Sequence, residues 1–265
     1  MEVTMTPRRR AALALLVLVA APVLAADLPE IEKRGTLRVL AVPGSDQFFA
    51  LREGARPGFD REILEGFARL EKLRLEPVAV ASWDALVPAL AEGRGDVAAG
   101  GVTATDARRR VVDFTAEVFP SRLVVMTRKP RPAVQSLAQL RAEKVGTIRG
   151  TSLAEALSGL SLPSVDDDVP PGGLPDALRA GRVTAVVMGV EDAIAAQQKD
   201  PDVRIGLFVG PKASLAFAVR KADPALRRAL DEYIANLRRT PTWSRLVVQY
   251  FGESALPILQ KAQED

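Results

Sequence analysis

The pattern that most restricts this chain is an alternation that occurs twice. Runs of β-branched apolar residues alternate with segments of helical period, first before residue 129 and again after residue 136. In the first half, TLRVLAV at residues 36–42 reads as a buried strand. Residues 60–73 then place Ile63, Leu64, Phe67 and Leu70 on one helical face. A strand at 75–80, a helix at 83–92 carrying Trp83, Leu86, Val87 and Leu90, and strands at 96–101 and 122–127 complete a β-α-β-α-β order. That order predicts mostly parallel sheets covered by helices. After KPRPAVQS at 129–136, which reads as a boundary, strands are expected at 144–148, 183–188, 204–209 and 215–219. Helices are expected from 153, at 174–180, 191–198, 224–237 and 243–251, with SVDDDVPPGG as a loop. Two α/β lobes leave a cleft between them, and the ends of parallel strands are where such sheets bind ligands.

With 265 residues, 48% of them hydrophobic, the chain has material for two cores. Its N-terminus places Arg8, Arg9 and Arg10 before an apolar run at 11–24 and small residues suited to cleavage after Ala25. This is the layout of a secretory signal peptide, and about 14 apolar residues fall short of the ~20 that span a bilayer. Residues 1–25 hold three arginines and one glutamate, so the remainder counts 33 basic against 32 acidic residues. A near-neutral chain argues against nucleic-acid binding, which shows a basic face. The sequence has no cysteine and no histidine. Disulfides, thiolate nucleophiles, lipidation sites, Ser-His-Asp and Cys-His mechanisms and the usual zinc sites are thereby excluded. No metal and no cofactor is expected, and the protein is expected to be a periplasmic monomer.

The stretch GGVTATDARRRVVDF at 100–114 is the sharpest local signal. Paired glycines let a ligand approach the backbone, and Thr103 or Thr105 can cap a helix starting near Asp106. Arg108 then lies in the first turn, where free N–H groups favour an anion and a guanidinium can grip a carboxylate by two bonds. Consecutive helical residues point about 100° apart, so only one of the three arginines can face a cleft, and Arg109 and Arg110 are assigned to the surface. KVGTIRGTS at 144–152 repeats the device in the second half: a strand, a glycine, then hydroxyls at a helix start. GxxxxGK[ST] is absent, so it is not a P-loop. Two such turns, one per lobe, form a two-sided clamp for a small acid.

These stretches, with RGTLRVL, GFDREI, WDALVPALAEGRGDVAAGGVTAT and ALRAGRVTAVV, resemble the family 3 extracellular solute-binding proteins, the periplasmic receptors of polar amino-acid ABC importers. The wording GRGDVAAGGVTAT also resembles the receptor-like domain of membrane-bound lytic transglycosylases. The resemblance implies a type II periplasmic-binding-protein fold: lobe 1 from residues 26–126 and 215–265, lobe 2 from 127–214, with crossings near 125–128 and 215–219. It implies a ligand cleft in which Arg108 grips an α-carboxylate and Thr103 adds a hydroxyl. The Gly101 carbonyl would accept the α-ammonium, Trp83 would wall the ligand side chain, and Thr151 and Ser152 would donate from the second lobe. Two departures follow. The family's ammonium-pairing acid falls on Gly189; a slip of two or three residues would offer Glu191 or Asp192, against which the placement of Pro201 argues, and Thr184 stands where another acid is usual. Near 43–49, Asp46 and Phe48 stand loosely where the family has an acidic residue and a stacking aromatic. A buried ammonium without a carboxylate partner costs at least a few kcal/mol, so the resemblance leaves the ligand's amino group open.

The expected function is capture of a small carboxylate-bearing solute for an inner-membrane ABC permease, without catalysis. A ligand-gated sensor or adaptor would use the same clamp. A cyclohexadienyl-dehydratase-like enzyme is the remoter alternative, because TIRGTS lacks the longer loop associated with that activity. A lytic transglycosylase would need a further helical domain, for which the 265 residues are expected to leave no room.

Overall fold

The computed structural model describes residues 27–253 and 255–256, so the expected signal peptide lies outside the described residues. The chain runs α1 (Leu28–Arg34), β1 (Thr36–Ala41), α2 (Phe59–Leu70), β2 (Arg74–Ala79), α3 (Trp83–Ala91), β3 (Val97–Ala98), α4 (Asp106–Arg109), β4 (Asp113–Phe114) and β5 (Phe119–Arg128). It continues α5 (Leu137–Leu140), β6 (Val145–Gly146), α6 (Ser152–Ser158), β7 (Val165–Asp166), α7 (Leu174–Arg179), β8 (Ala185–Gly189) and α8 (Val190–Lys199). β9 (Val203–Leu215), β10 (Ala218–Val219), α9 (Pro224–Arg238) and α10 (Pro241–Phe251) complete it.

Two five-stranded sheets result, ordered β2-β1-β3-β10-β4 and β7-β6-β8-β5-β9. Each is buried on both faces because its strands alternate side chains between two helical layers. In β1, Leu37, Val39 and Ala41 join one cluster with α2, α9 and α10, while Leu40 joins another with α3. In the second sheet Val124, Met126, Val186 and Met188 face one cluster, and Leu123, Val125, Ala185 and Val187 face the other. At ~25 cal/mol per Å² of apolar surface, these buried strand faces hold each lobe together.

Three expectations change. The sheets are mixed: β1 pairs in parallel with β2 and β3, but β10 runs antiparallel to β3 and β4, as β5 does to β8 and β9. The chain must return between lobes, and its returning strands reverse direction. The expected first crossing at 125–128, and the boundary at 126/127, fall inside β5, where Val125 and Met126 pair with Val187 and Val186 of the second sheet. The passage lies earlier: Phe119 packs in the first lobe's core and Leu123 in the second's. Residues 129–136 therefore follow β5 within the second sheet's half of the chain and mark no boundary. β5 and β9 pair from Phe119↔Leu215 to Arg128↔Val203, an antiparallel ribbon that joins the lobes. Leu70, expected in the core, is 64% exposed, and Leu73 takes the place in the cluster beyond the helix end.

Candidate ligand-binding site

The site is built where strands of both sheets end against each other. Beyond β3, Gly100 and Gly101 take φ values of 107° and 80°, which a β-carbon resists. Their N–H groups donate to one oxygen of Asp60 at 2.9 and 2.8 Å. Burial pushes the Asp60 carboxyl up to about 6, against the opposing pull of those two donors. Phe48 backs this turn; a β-carbon on Gly101 would lie 3.0 Å from its ring.

The turn delivers the chain to α4, capped by the Thr105 hydroxyl, which accepts from Arg108 N–H at 3.3 Å. Arg108 is 8% exposed, whereas Arg109 and Arg110 are exposed. Its guanidinium donates to the Thr103 carbonyl at 3.0 Å and, across the cleft, to the Gly150 carbonyl at 3.2 Å. Burial lowers its pKa, and the charge of Glu155 partly opposes this. No carboxylate makes an ion pair with it among the described residues.

The lobes touch around this arginine. Ser152 Oγ donates to Thr103 Oγ1 at 2.9 Å, and a β-carbon on Gly150 would lie 2.6 Å from Asp84. At the opposite lip Gly44 and Gly172 approach so closely that a β-carbon on either would overlap the facing backbone. Trp83 packs against a core cluster of each lobe. The cavity between the lobes has a volume of about 400 Å³.

At the far side β8 ends at Gly189 and α8 begins. The Glu191 side chain folds back so that its carboxylate occupies the space a side chain on Gly189 would need. It is 3% exposed and accepts from the Ser121 hydroxyl at 2.9 and 3.1 Å. Burial and the neighbouring Asp192 push the Glu191 carboxyl well above its ordinary range. Burial raises Asp192 as well, with Lys199 pulling the other way.

Residues 37–253 match the family described as bacterial extracellular solute-binding proteins, family 3. The chain belongs to this family. Its sequence is 26% identical to the L-cystine-binding protein TcyJ of Escherichia coli, over 85% of this chain and 86% of that one. It is 24% identical to the membrane-bound lytic murein transglycosylase F of Desulfosudis oleivorans over 85% of this chain. The chain spans about half the length of that relative, 50%. Among solved structures, the amino acid ABC transporter substrate-binding protein AbpA of Streptococcus pneumoniae, bound to L-arginine, superposes with a TM-score of 0.77 at 26% identity, covering 86% of this chain and 99% of that one. The type II periplasmic-binding-protein fold expected from the sequence is thereby the observed fold.

In this solute-binding protein Arg108, Thr103, Gly101, Trp83, Thr151, Ser152, Phe48 and Gly189 all line one cavity. Their detailed placement differs from the sequence expectation in three ways. The Thr151 hydroxyl donates to the Ile148 carbonyl at 2.5 Å and accepts from Ala154 N–H, so it caps α6 and has no proton left for a ligand. Phe48 is 4% exposed and sits in a ring cluster with Phe59, Phe119 and Phe251, a floor more than a stacking face. Gly189 contributes space, which Glu191 fills despite the unslipped alignment. Ser121, Lys199 and Asp60 carried no local signal; Asp60 alone stood in a quoted motif, GFDREI.

Proposed function

We propose that this chain is a periplasmic receptor that encloses a small zwitterionic solute between its lobes and presents it to the permease of an ABC importer. One observation carries the reading: one cavity between the lobes is lined by a buried guanidinium whose side-chain bonds go to backbone carbonyls, and by a buried carboxyl whose side-chain partner among the described residues is Ser121. Arg108 is a buried cation without an ion-pair partner among the described residues, and Glu191 is a buried acid that an arriving ammonium would ionise, so an α-amino acid supplies the complementary pair. Arg108 takes the carboxylate, with Ser152 closing from the other lobe. Glu191, reaching over Gly189, takes the ammonium, so the missing acid of the family pattern is replaced two residues on. Membership of the family and likeness to an arginine-bound receptor support the same reading. Calorimetric titration of the purified protein with a panel of L-amino acids and their des-amino analogues tests it. Binding that requires both groups is expected; binding of the des-amino acids alone would remove Glu191 from the site, and no binding of either would remove the receptor reading.

The raised Glu191 carboxyl favours a second, enzymatic reading, since a protonated acid beside a bound solute is a general-acid arrangement. Incubation with prephenate or arogenate and product analysis distinguishes the two: turnover supports the enzyme, and unchanged substrate supports the receptor.

A further inference from the structure

The cavity continues past the Arg108–Glu191 pair into a trough between α7 and α8. On α8, Asp192, Ala195, Ala196 and Lys199 stand at i, i+3, i+4 and i+7, one face of the helix, and all four line the cavity. The two alanines leave the trough open between the acid and the base. Leu174 and Pro175 of α7 form its other wall.

Eight charged side chains line the whole cavity. Four already have an opposite charge in the protein: Asp46 with Arg52 at 3.8 Å, Asp176 with Arg179 at 2.6 Å, and Asp200 with Arg128 at 2.8 Å and Arg179 at 3.9 Å. The other four, Arg108, Glu191, Asp192 and Lys199, make no ion pair among the described residues. They comprise two cations and two anions. Glu191 and Asp192 are adjacent and both line the cavity, so a ligand with two ammonium groups meets an acid at each.

We infer that the ligand is a diamino dicarboxylic acid, two α-amino-acid ends joined by a short spacer. This rests on the receptor reading and deepens it. The first end sits between Arg108 and Glu191; the second places its ammonium at Asp192 and its carboxylate at Lys199. Lys199 is the last residue of α8, about 10.5 Å along the axis from Asp192; it is exposed at the cavity's edge, and its charge acts on the Asp192 carboxyl. Size is compatible: a volume of about 400 Å³ lies in the range of small-molecule sites and has room for a ligand longer than a simple amino acid.

The test is calorimetric titration with meso-diaminopimelate, L-cystine, L-lysine and L-glutamine, repeated on Asp192→Asn and Lys199→Ala after a thermal melt shows that each variant folds. The expected result is that a diamino dicarboxylate binds at least about tenfold tighter than glutamine, and that each variant cuts this preference about tenfold. Glutamine binding as tightly as the longer ligands, with a preference insensitive to both variants, overturns the inference and leaves the receptor reading standing. L-Lysine binding tightest, sensitive to Asp192→Asn but not to Lys199→Ala, overturns the second carboxylate and with it the inference. Failure of every amino acid to bind overturns both.

Discussion

The two ends of the cleft are assembled in opposite ways. At the Arg108 end, six consecutive residues, Thr103 to Arg108, contain the cap, the carbonyl that steadies the guanidinium and the guanidinium itself. At the Glu191 end, Ser121 and Glu191 are 70 residues apart and meet because β5 and β8 are neighbours in the second sheet. The first end is a local motif that a helix start produces wherever it occurs. The second is a tertiary arrangement, in which the Glu191 carboxylate lies in the space that a side chain on Gly189 would need.

The comparison breaks most completely if the local end is dispensable. Arg108→Ala is expected to weaken binding of any α-amino acid by two orders of magnitude or more, since a charge-assisted bidentate contact is lost. Titration calorimetry reads this, and a variant retaining near-native affinity would remove Arg108 from the site. The tertiary end is probed next by relocation. Gly189→Asp alone is expected to unfold at lower temperature, because the new side chain overlaps the Glu191 carboxylate. Combined with Glu191→Gly it is expected to regain binding to within about tenfold, as one carboxylate replaces another in the same space. A double variant that folds and does not bind would show that Glu191 acts from its own position and not from the point it reaches.

A pH series sharpens the same end. In the ligand-free protein Glu191, pushed up to about 8, holds its proton at neutral pH, with Asp192 raised beside it, Ser121 donating to it and Lys199 opposing the Asp192 shift. An arriving ammonium draws the Glu191 pKa down, so binding releases protons. Affinity is expected to rise from pH 6 toward pH 8 and then level off, and the heat of binding to differ between buffers of different ionisation enthalpy at pH 6.5. Equal heats would exclude the proton release. The stability consequence has the opposite sign: a carboxyl raised above its unfolded value favours the fold at low pH and progressively less above about pH 4.5, until it ionises near 8. Glu191→Gln in the absence of ligand is therefore expected to gain melting temperature over the native protein at pH 8 and little at pH 4.5. A gain that is the same at both pH values would place the effect in packing.

The smallest effects test the scaffold. Gly101→Ala, at φ 80° and 3.0 Å from Phe48, is expected to cost about 1–2 kcal/mol of stability. Thr151→Ala is expected to cost about 1 kcal/mol as a lost helix cap. It should change affinity less than Ser152→Ala does, because the Thr151 proton is already engaged. Denaturant melts and titrations of the two variants check the order, and a larger affinity loss at Thr151 would return its hydroxyl to the ligand.

Much of this was legible in the residues. The strand at 36–41, the helix at 83–91 with Trp83 on its exposed flank, and the cap before Arg108 followed from period and capping chemistry, which act within a few residues. Leu70 misled because its face of α2 runs out before the helix does, a matter of where the neighbouring cluster ends. The first crossing misled because an apolar strand looks the same whichever sheet receives it.

By itself the sequence determined the two-lobed α/β order, the family and which of three consecutive arginines turns into the cleft, all properties of local patterns. The tertiary structure alone decided which acid stands behind Gly189, which hydroxyls are spent on caps, and which four ionisable side chains of the cavity form no ion pair among the described residues. Those are questions of distance between residues 70 or more apart or of side-chain direction at one helix end, and a linear pattern carries neither.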